Sequence, residues 1–207
     1  MIPVNVLAVR YLANASPALC RALGAPAGFP SLGMLTTDCD DATYIAMDAA
    51  TKAAEVEVAY GHSFYAGATN ASTPNAGEVI GVLAGRTPGA VRSGMEAALA
   101  ALRRVGFFET NNVPYLAHTV SSVGSFLAKE AGVRLGTAVA YLIAPPLESM
   151  YALDAALKAA DVRLCKLYTP PSETNFGGGL LSGTQSACEA ACAAFSEAVK
   201  EVAARPI

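Results

Sequence analysis

The stretch TTDCDDATY, residues 36–44, sets three carboxylates, Asp38, Asp40 and Asp41, around Cys39. Two kinds of chemistry suit them. At the entry of a helix, carboxylates meet the positive end of its dipole and cap it. Gathered on a surface, they form an acidic lining that attracts amines or metal cations. A later stretch, PPLESMY, keeps one carboxylate, Glu148. Cys188 and Cys192 are four residues apart, so a helix would carry both thiols on one face, where they could bind a metal. A closed zinc site needs four ligands, however, and the two histidines, His62 and His118, lie far off in sequence. Both cysteines also fall on an apolar stripe, which reads as core. His62 beside Tyr65, or His118 near Ser121 and Ser122, could pair a base with a nucleophile, but no GxSxG context supports either. Gly177-Gly178-Gly179 is not followed by Gly-Lys-Ser/Thr and runs into a strand, so it matches no phosphate-binding pattern. No catalytic constellation emerges, and no metal site is expected.

The elements that position these residues occur twice. ALDAALKAADVRL (152–164) repeats AMDAATKAAEVEV (46–58) with eight of thirteen positions identical and a spacing of 106. Asp48, Lys52 and Val56 thereby pair with Asp154, Lys158 and Val162. Upstream, SLGMLTT faces AVAYLIAPP, both short buried strands, and residues 4–24 face 116–132, each a strand followed by a small-residue helix. Downstream, EVIGVLAG faces FGGGLLSG, and each is followed by a helix with a threonine N-cap, Thr87 before Pro88 in one copy and Thr184 in the other. Val91, Met95, Ala98, Leu102 and Val105 stand a constant 97 residues before Cys188, Cys192, Phe195, Val199 and Val202, and the 4-3-4-3 spacing puts each set on one helix face. The unit is strand, helix, strand, helix, strand, loop, strand, helix. The link between copies is the polar, turn-rich ETNNVP, residues 109–114. The loops 63–78 and 168–179 differ most between copies; rich in Gly, Pro, Ser, Thr and Asn, they are expected to build no core.

The 207 residues are 53% hydrophobic but only 15% charged, against about 25% in ordinary domains. So few charges cannot dress the whole surface, which points to apolar surface hidden between subunits. A net charge of −3 without a basic run argues against nucleic acid. The N-terminus has no basic leader before its apolar run, and no apolar stretch reaches the 18 residues of a membrane span, so neither secretion nor a membrane is expected. Five cysteines at irregular spacing read as reduced core thiols.

Three stretches, DCDDATYIAMDAATKAAEVEVAYGHSFYAGA, YLIAPPLESMYALDAALKAADVRL and PPSETNFGGGLLSGTQSACEAACAAF, resemble the tandem-domain shell proteins of bacterial microcompartments, of the ethanolamine-utilisation type. The resemblance covers nearly the whole chain and implies an α+β fold of two circularly permuted shell domains, residues 1–110 and 111–207, each a small antiparallel sheet with flanking helices. It implies no enzymatic activity. Three chains would form a flat pseudohexameric homotrimer that tiles with other microcompartment shell proteins in a cytoplasmic compartment. Lys52 and Lys158 match the lysine that such tiles carry at their edges. Ala66, Gly67, Asn70, Gly77, Ser172, Glu173, Thr174, Asn175 and Phe176 would line a gated central pore. Asp40, Asp41, Glu148 and Phe107 would line small pores, whose acidic groups favour a small amine such as ethanolamine over anions. No cofactor is called for, although the resemblance admits a metal ion or a corrinoid at the central loops. The segment 103–114 is shorter than the family pattern. Two other readings stay open on the residues alone. One is a trimeric module that binds or senses a small molecule without assembling a shell; the other is an enzyme with an inter-subunit site around His62 or Cys39.

Overall fold

The computed structural model describes residues 1–64, 78–170, 172 and 174–207. The first series of elements is β1 (Val6–Leu12), α1 (Pro17–Ala22), β2 (Ser31–Thr37), α2 (Asp40–Ala53), β3 (Val56–Phe64), β4 (Glu78–Gly85) and α3 (Pro88–Leu102). The second is β5 (Phe108–Thr110), β6 (Val113–Val120), α4 (Ser125–Ala131), β7 (Ala138–Ala144), α5 (Pro146–Ala159), β8 (Val162–Tyr168), β9 (Gly177–Gly183) and α6 (Gln185–Ala204). Apart from β5, the second series repeats the first element for element, as the duplicated sequence requires. Two compact units result: residues 3–105 with 124–127, and residues 1–2, 106–123 and 128–207.

The first unit is built on an antiparallel sheet of order β1-β2-β4-β3. Side chains alternate along a strand, so Gly81, Leu83 and Gly85 of β4 share a face with Gly33, the β2 partner of Leu83. A Cβ added to Gly81 would stand 3.0 Å from Met47 of α2, and one on Gly33 would stand 2.7 Å from Val91 of α3. Both helices therefore pack on that face, brought close by residues without side chains. The opposite face presents Val82 and Ala84, which cluster with Leu32 and with Ala15, Cys20 and Phe29 from the α1 region. The α3 start is the one expected: Thr87 Oγ1 accepts from Ala90 N at 3.2 Å, with Pro88 in the first turn.

The second unit has the order β5-β6-β7-β9-β8, again antiparallel. The central β7 is buried along its whole length. Its Ala138, Ala140, Leu142 and Ala144 pack with Leu153 and Ala156 of α5 and with Cys192 and Phe195 of α6. Thr184 caps α6 through Ala187 N at 3.1 Å. The glycine run finds its reason here. Gly178 has φ 155 and runs so close to β7 that a Cβ would lie 1.9 Å from Leu142 O.

The segment ETNNVP is a β-hairpin and not a link. β5 and β6 pair through a two-residue turn in which Asn111 and Asn112 have φ of 47 and 62. Positive φ at both central residues suits a hairpin turn whose twist matches its strands, and Asn tolerates it. The division expected between residues 110 and 111 falls at the start of this turn, while the long stretch of the second unit begins at Gly106.

Candidate functional site

The acidic cluster sits where β2 passes into α2. The turn is locked from inside by two buried hydroxyls. Thr37 Oγ1 and Thr43 Oγ1 stand 2.6 Å apart, 2.9 and 2.7 Å from Cys39 O, and Thr37 Oγ1 also accepts from Cys39 N at 3.1 Å. The three carboxylates then part ways. The Asp38 oxygens accept from Asn5 N at 2.8 Å and Asn5 Nδ2 at 2.6 Å, tying the turn to the residue before β1. Asp40 and Asp41 lie in the first turn of α2, where the helix dipole favours negative charge. Asp40 accepts from Asp41 N at 2.9 Å with one oxygen and from the Ser63 hydroxyl of β3 at 2.7 Å with the other. Both aspartates are buried, at 7% and 8% exposure. Burial, followed by the neighbouring Asp41 and Asp40 charges, pushes the Cys39 thiol well above its ordinary range. It stays protonated and is a poor nucleophile. His62, the other residue of the enzyme reading, is exposed and lies 6.0 Å ring to ring from Tyr60.

The other candidates belong to the second unit. Glu148 is half-buried in the first turn of α5, behind Pro145 and Pro146. The helices α2 and α5 match end for end at a spacing of 106, so Pro146 and Leu147 take the places of Asp40 and Asp41. Phe107 is buried, edge-on to Phe176 with centroids 5.7 Å apart. This corrects the expectation that the loop 168–179 builds no core: Thr174 and Phe176 are both buried. The loop folds on itself to hold them there. Ser172 N donates to Phe176 O at 3.3 Å, Thr174 N to Ser172 Oγ at 3.3 Å, and Phe176 N to Thr174 Oγ1 at 3.2 Å. Ser172 and Asn175 are exposed. Ala66, Gly67, Asn70, Gly77 and Glu173 lie outside the described residues.

The two lysines differ. Lys52 is 3.3 Å from a fully buried Asp48, whereas Lys158 pairs at 2.5 Å with an Asp154 that is 62% exposed. The Cys188 and Cys192 thiols are buried on the stripe, and burial raises both pKa values, Cys192 to about 11. They pack as neutral groups. All five cysteines are free, although Cys20 and Cys165 are only partly buried. Among the described residues, no three His, Cys, Asp or Glu side chains converge as metal ligands, and no helix is long and apolar enough to cross a membrane. Sequence reasoning did not find Ser63, Asn5 or the Thr37–Thr43 pair, because their roles depend on partners 23, 33 and 6 residues away.

Comparison with known proteins settles the family. The BMC domain matches residues 31–115, from β2 onward, leaving β1 and α1 in front of it. The chain is 56% identical over 211 residues to the bacterial microcompartment shell protein EutL of Clostridium perfringens, covering 100% of this chain and 97% of that protein. The chain belongs to the EutL family of bacterial microcompartment shell proteins. A crystal structure of the ethanolamine utilization protein EutL from Leptotrichia buccalis superposes with a TM-score of 0.94 at 56% identity, covering 100% and 97% of the two chains. EtuB from Clostridium kluyveri, at 22% identity, shares the fold with a TM-score of 0.83 over 94% of this chain and 86% of its own. As in other EutL proteins, the role is structural, and the place of the chain is the microcompartment shell. Its two units are tandem permuted shell domains of α+β class, each an antiparallel sheet flanked by helices.

Proposed function

We propose that the chain forms a pseudohexameric homotrimeric tile whose acidic residues line a passage for small amines, and that it has no catalytic activity of its own. The observation that carries this reading is the buried pair Asp40 and Asp41. The Asp40 carboxylate is held by the Ser63 hydroxyl and by the Asp41 N–H at the start of α2. A fixed negative constriction favours a compact ammonium group over an anion. Ethanolamine fits that description. Lys52 and Lys158 mark the tile edges, where other shell proteins dock. The exposed apolar residues Val6, Leu7, Tyr11, Leu147, Tyr151 and Leu167 support assembly, since a 15% charged chain leaves them uncovered when alone.

Light scattering after size exclusion tests the tile. Three chains of 21.1 kDa give a species of about 63 kDa, and electron microscopy of concentrated samples then shows sheets. A chain that stays at 21.1 kDa refutes it. The buried carboxylates also favour a second reading, a trimeric module that binds or senses a small molecule without layers. Saturable amine binding by a trimer that never forms sheets, alone or with other shell proteins, selects that one.

A further inference from the structure

The first unit also holds a cavity away from the acidic turn. Its volume is about 510 Å³, within the range of about 300–1,000 Å³ usual for small-molecule sites. Its walls are Asn14 and Ala15 after β1, Cys20 and Arg21 of α1, the loop 25–30, and Arg86 after β4. Ala15, Cys20, Ala25 and Phe29 pack with Val82 and Ala84 on the sheet face opposite α2 and α3. Gly24 and Gly28, with φ of 73 and 82, turn the chain from α1 back to β2. The short side chains of Ala25, Pro26, Ala27 and Gly28 leave the space beside α1 unfilled.

The charge at this cavity is of one sign. The Arg86 guanidinium lies over the Phe29 ring, 5.0 Å from its centroid, which steadies the cation without neutralising it. Among the described residues, neither Arg86 nor Arg21 has a carboxylate within salt-bridge reach. No Asp or Glu lines the cavity, in a chain whose net charge is −3. The duplication shows that the fold does not need this wall. The α1 region recurs at a spacing of 108, where the positive-φ glycines 24 and 28 become 132 and 136; Arg21 becomes Lys129, and Phe29 becomes Thr137. β4 ends at Gly85 and β9 at Gly183. The helix cap follows directly in the second copy, at Thr184, but one residue later in the first, at Thr87. Arg86 is therefore a residue that the second copy lacks.

We propose that this cavity binds a small organic phosphate of about nucleotide size, a site separate from the amine passage and of opposite preference. A phosphate ester carries about −1.5 to −2 charges at pH 7, which two arginines match; a monocarboxylate would leave one of them uncompensated. Each guanidinium offers a fork of N–H donors suited to two phosphate oxygens, and the Asn14 amide adds a further donor. The apolar body of the ligand lies against Pro26, Phe29 and Pro30.

Calorimetry on the full chain with adenosine monophosphate tests the site, with adenosine and inorganic phosphate as the other arms. Adenosine monophosphate binds saturably and more weakly as salt is raised, adenosine does not bind, and inorganic phosphate binds less tightly. Arg86→Gln and Arg21→Gln each weaken adenosine monophosphate by about tenfold or more, the scale of one lost charge-assisted contact. Both side chains are exposed, so the variants melt like the wild type in the absence of ligand. Lys129→Gln, the counterpart in the second copy, leaves the affinity unchanged. No binding of either phosphate, equal affinity in Arg86→Gln, or an equal loss in Lys129→Gln overturns the site. Inorganic phosphate that binds as tightly as adenosine monophosphate overturns the role of the apolar wall.

Discussion

Asp48→Ala probes the burial of a charge on a helix that otherwise looks like its duplicate. The substitution removes an acceptor serving two backbone N–H groups, Gly124 N and Leu127 N, at a position with no exposure. Hydrogen bonds to a charged group are worth about 1.5–3 kcal/mol each, and removing one partner of a buried charged network costs about 3–5 kcal/mol. Lys52 adds little, because its side chain is 36% exposed and rehydrates. The expected loss is therefore about 3–5 kcal/mol. For a chain of this length each kcal/mol moves the melting temperature by about 2–4 °C, so the melt falls by roughly 10 °C. Asp154→Ala is the control. Its ion pair with Lys158 has both side chains well exposed, and such a pair contributes about 0–1 kcal/mol. Thermal melts followed by circular dichroism at two protein concentrations a hundredfold apart separate the two. The Asp48→Ala deficit is the same at both, whereas any Asp154→Ala deficit appears only where chains associate. Amide exchange at Gly124 and Leu127 accelerates in Asp48→Ala alone. A variant that melts within a degree of the wild type would mean that these N–H groups find other acceptors, and the reasoning fails.

Further outcomes follow from the same geometry. Burial raises the Cys192 pKa from the ordinary 9.0 to about 11, so the folded state holds this proton more tightly than the unfolded one; its contribution, about 2–3 kcal/mol, is complete below pH 9 and lost toward pH 11. Cys192→Ala flattens that part of a stability–pH profile relative to wild type, and unchanged slopes would contradict it. Replacing Lys52 and Lys158 with alanine leaves trimers intact and weakens sheets seen by electron microscopy; sheets of undiminished extent would remove both from the tile edge. Asp40→Asn with Asp41→Asn lowers ethanolamine affinity by about tenfold or more in calorimetry, the scale of one lost charge-assisted contact, and equal affinity would take the pair out of the passage. Phe176→Ala empties a buried site against Phe107 and costs about 3–5 kcal/mol in denaturant melts; a loss below 1 kcal/mol would show that the loop does not anchor there.

Periodic features were legible because they depend on near neighbours. The stripes of α3 and α6 and the Thr87 and Thr184 caps follow from spacing within one element, and the duplication exposed the matching elements. The acidic turn was legible as residue types but not as geometry. The bond from Asn5, 33 residues earlier, to Asp38 is not visible in the local sequence. The glycine, proline and asparagine around Phe176 read as solvent loop, yet the ring is buried. Three local hydrogen bonds through Ser172 and Thr174 turn it inward instead. Asn111 and Asn112 signal a break in the chain whether it makes a hairpin or a link. What decides for a turn is that β5 finds β6 to pair with.

The repeated lysine helix shows where sequence similarity stops informing. Eight of thirteen residues agree, including the aspartate and the lysine, yet Asp48 is sealed and Asp154 is open. The difference lies in what covers each. Residues 124–127 are on the same chain as α2, so their contact costs no translational freedom, and a charge there can be buried for good behind two N–H donors. A contact between chains must first meet an association cost of about 4–15 kcal/mol. Until it forms, its surface must stay stable in water. An Asp154 left hydrated and paired to Lys158 costs little while exposed. On this argument the duplicates were free to keep one helix sequence because burial was set by the covering segment. Thr51, in whose place α5 has Leu157, accepts from Ser125 N at the point where the cover touches.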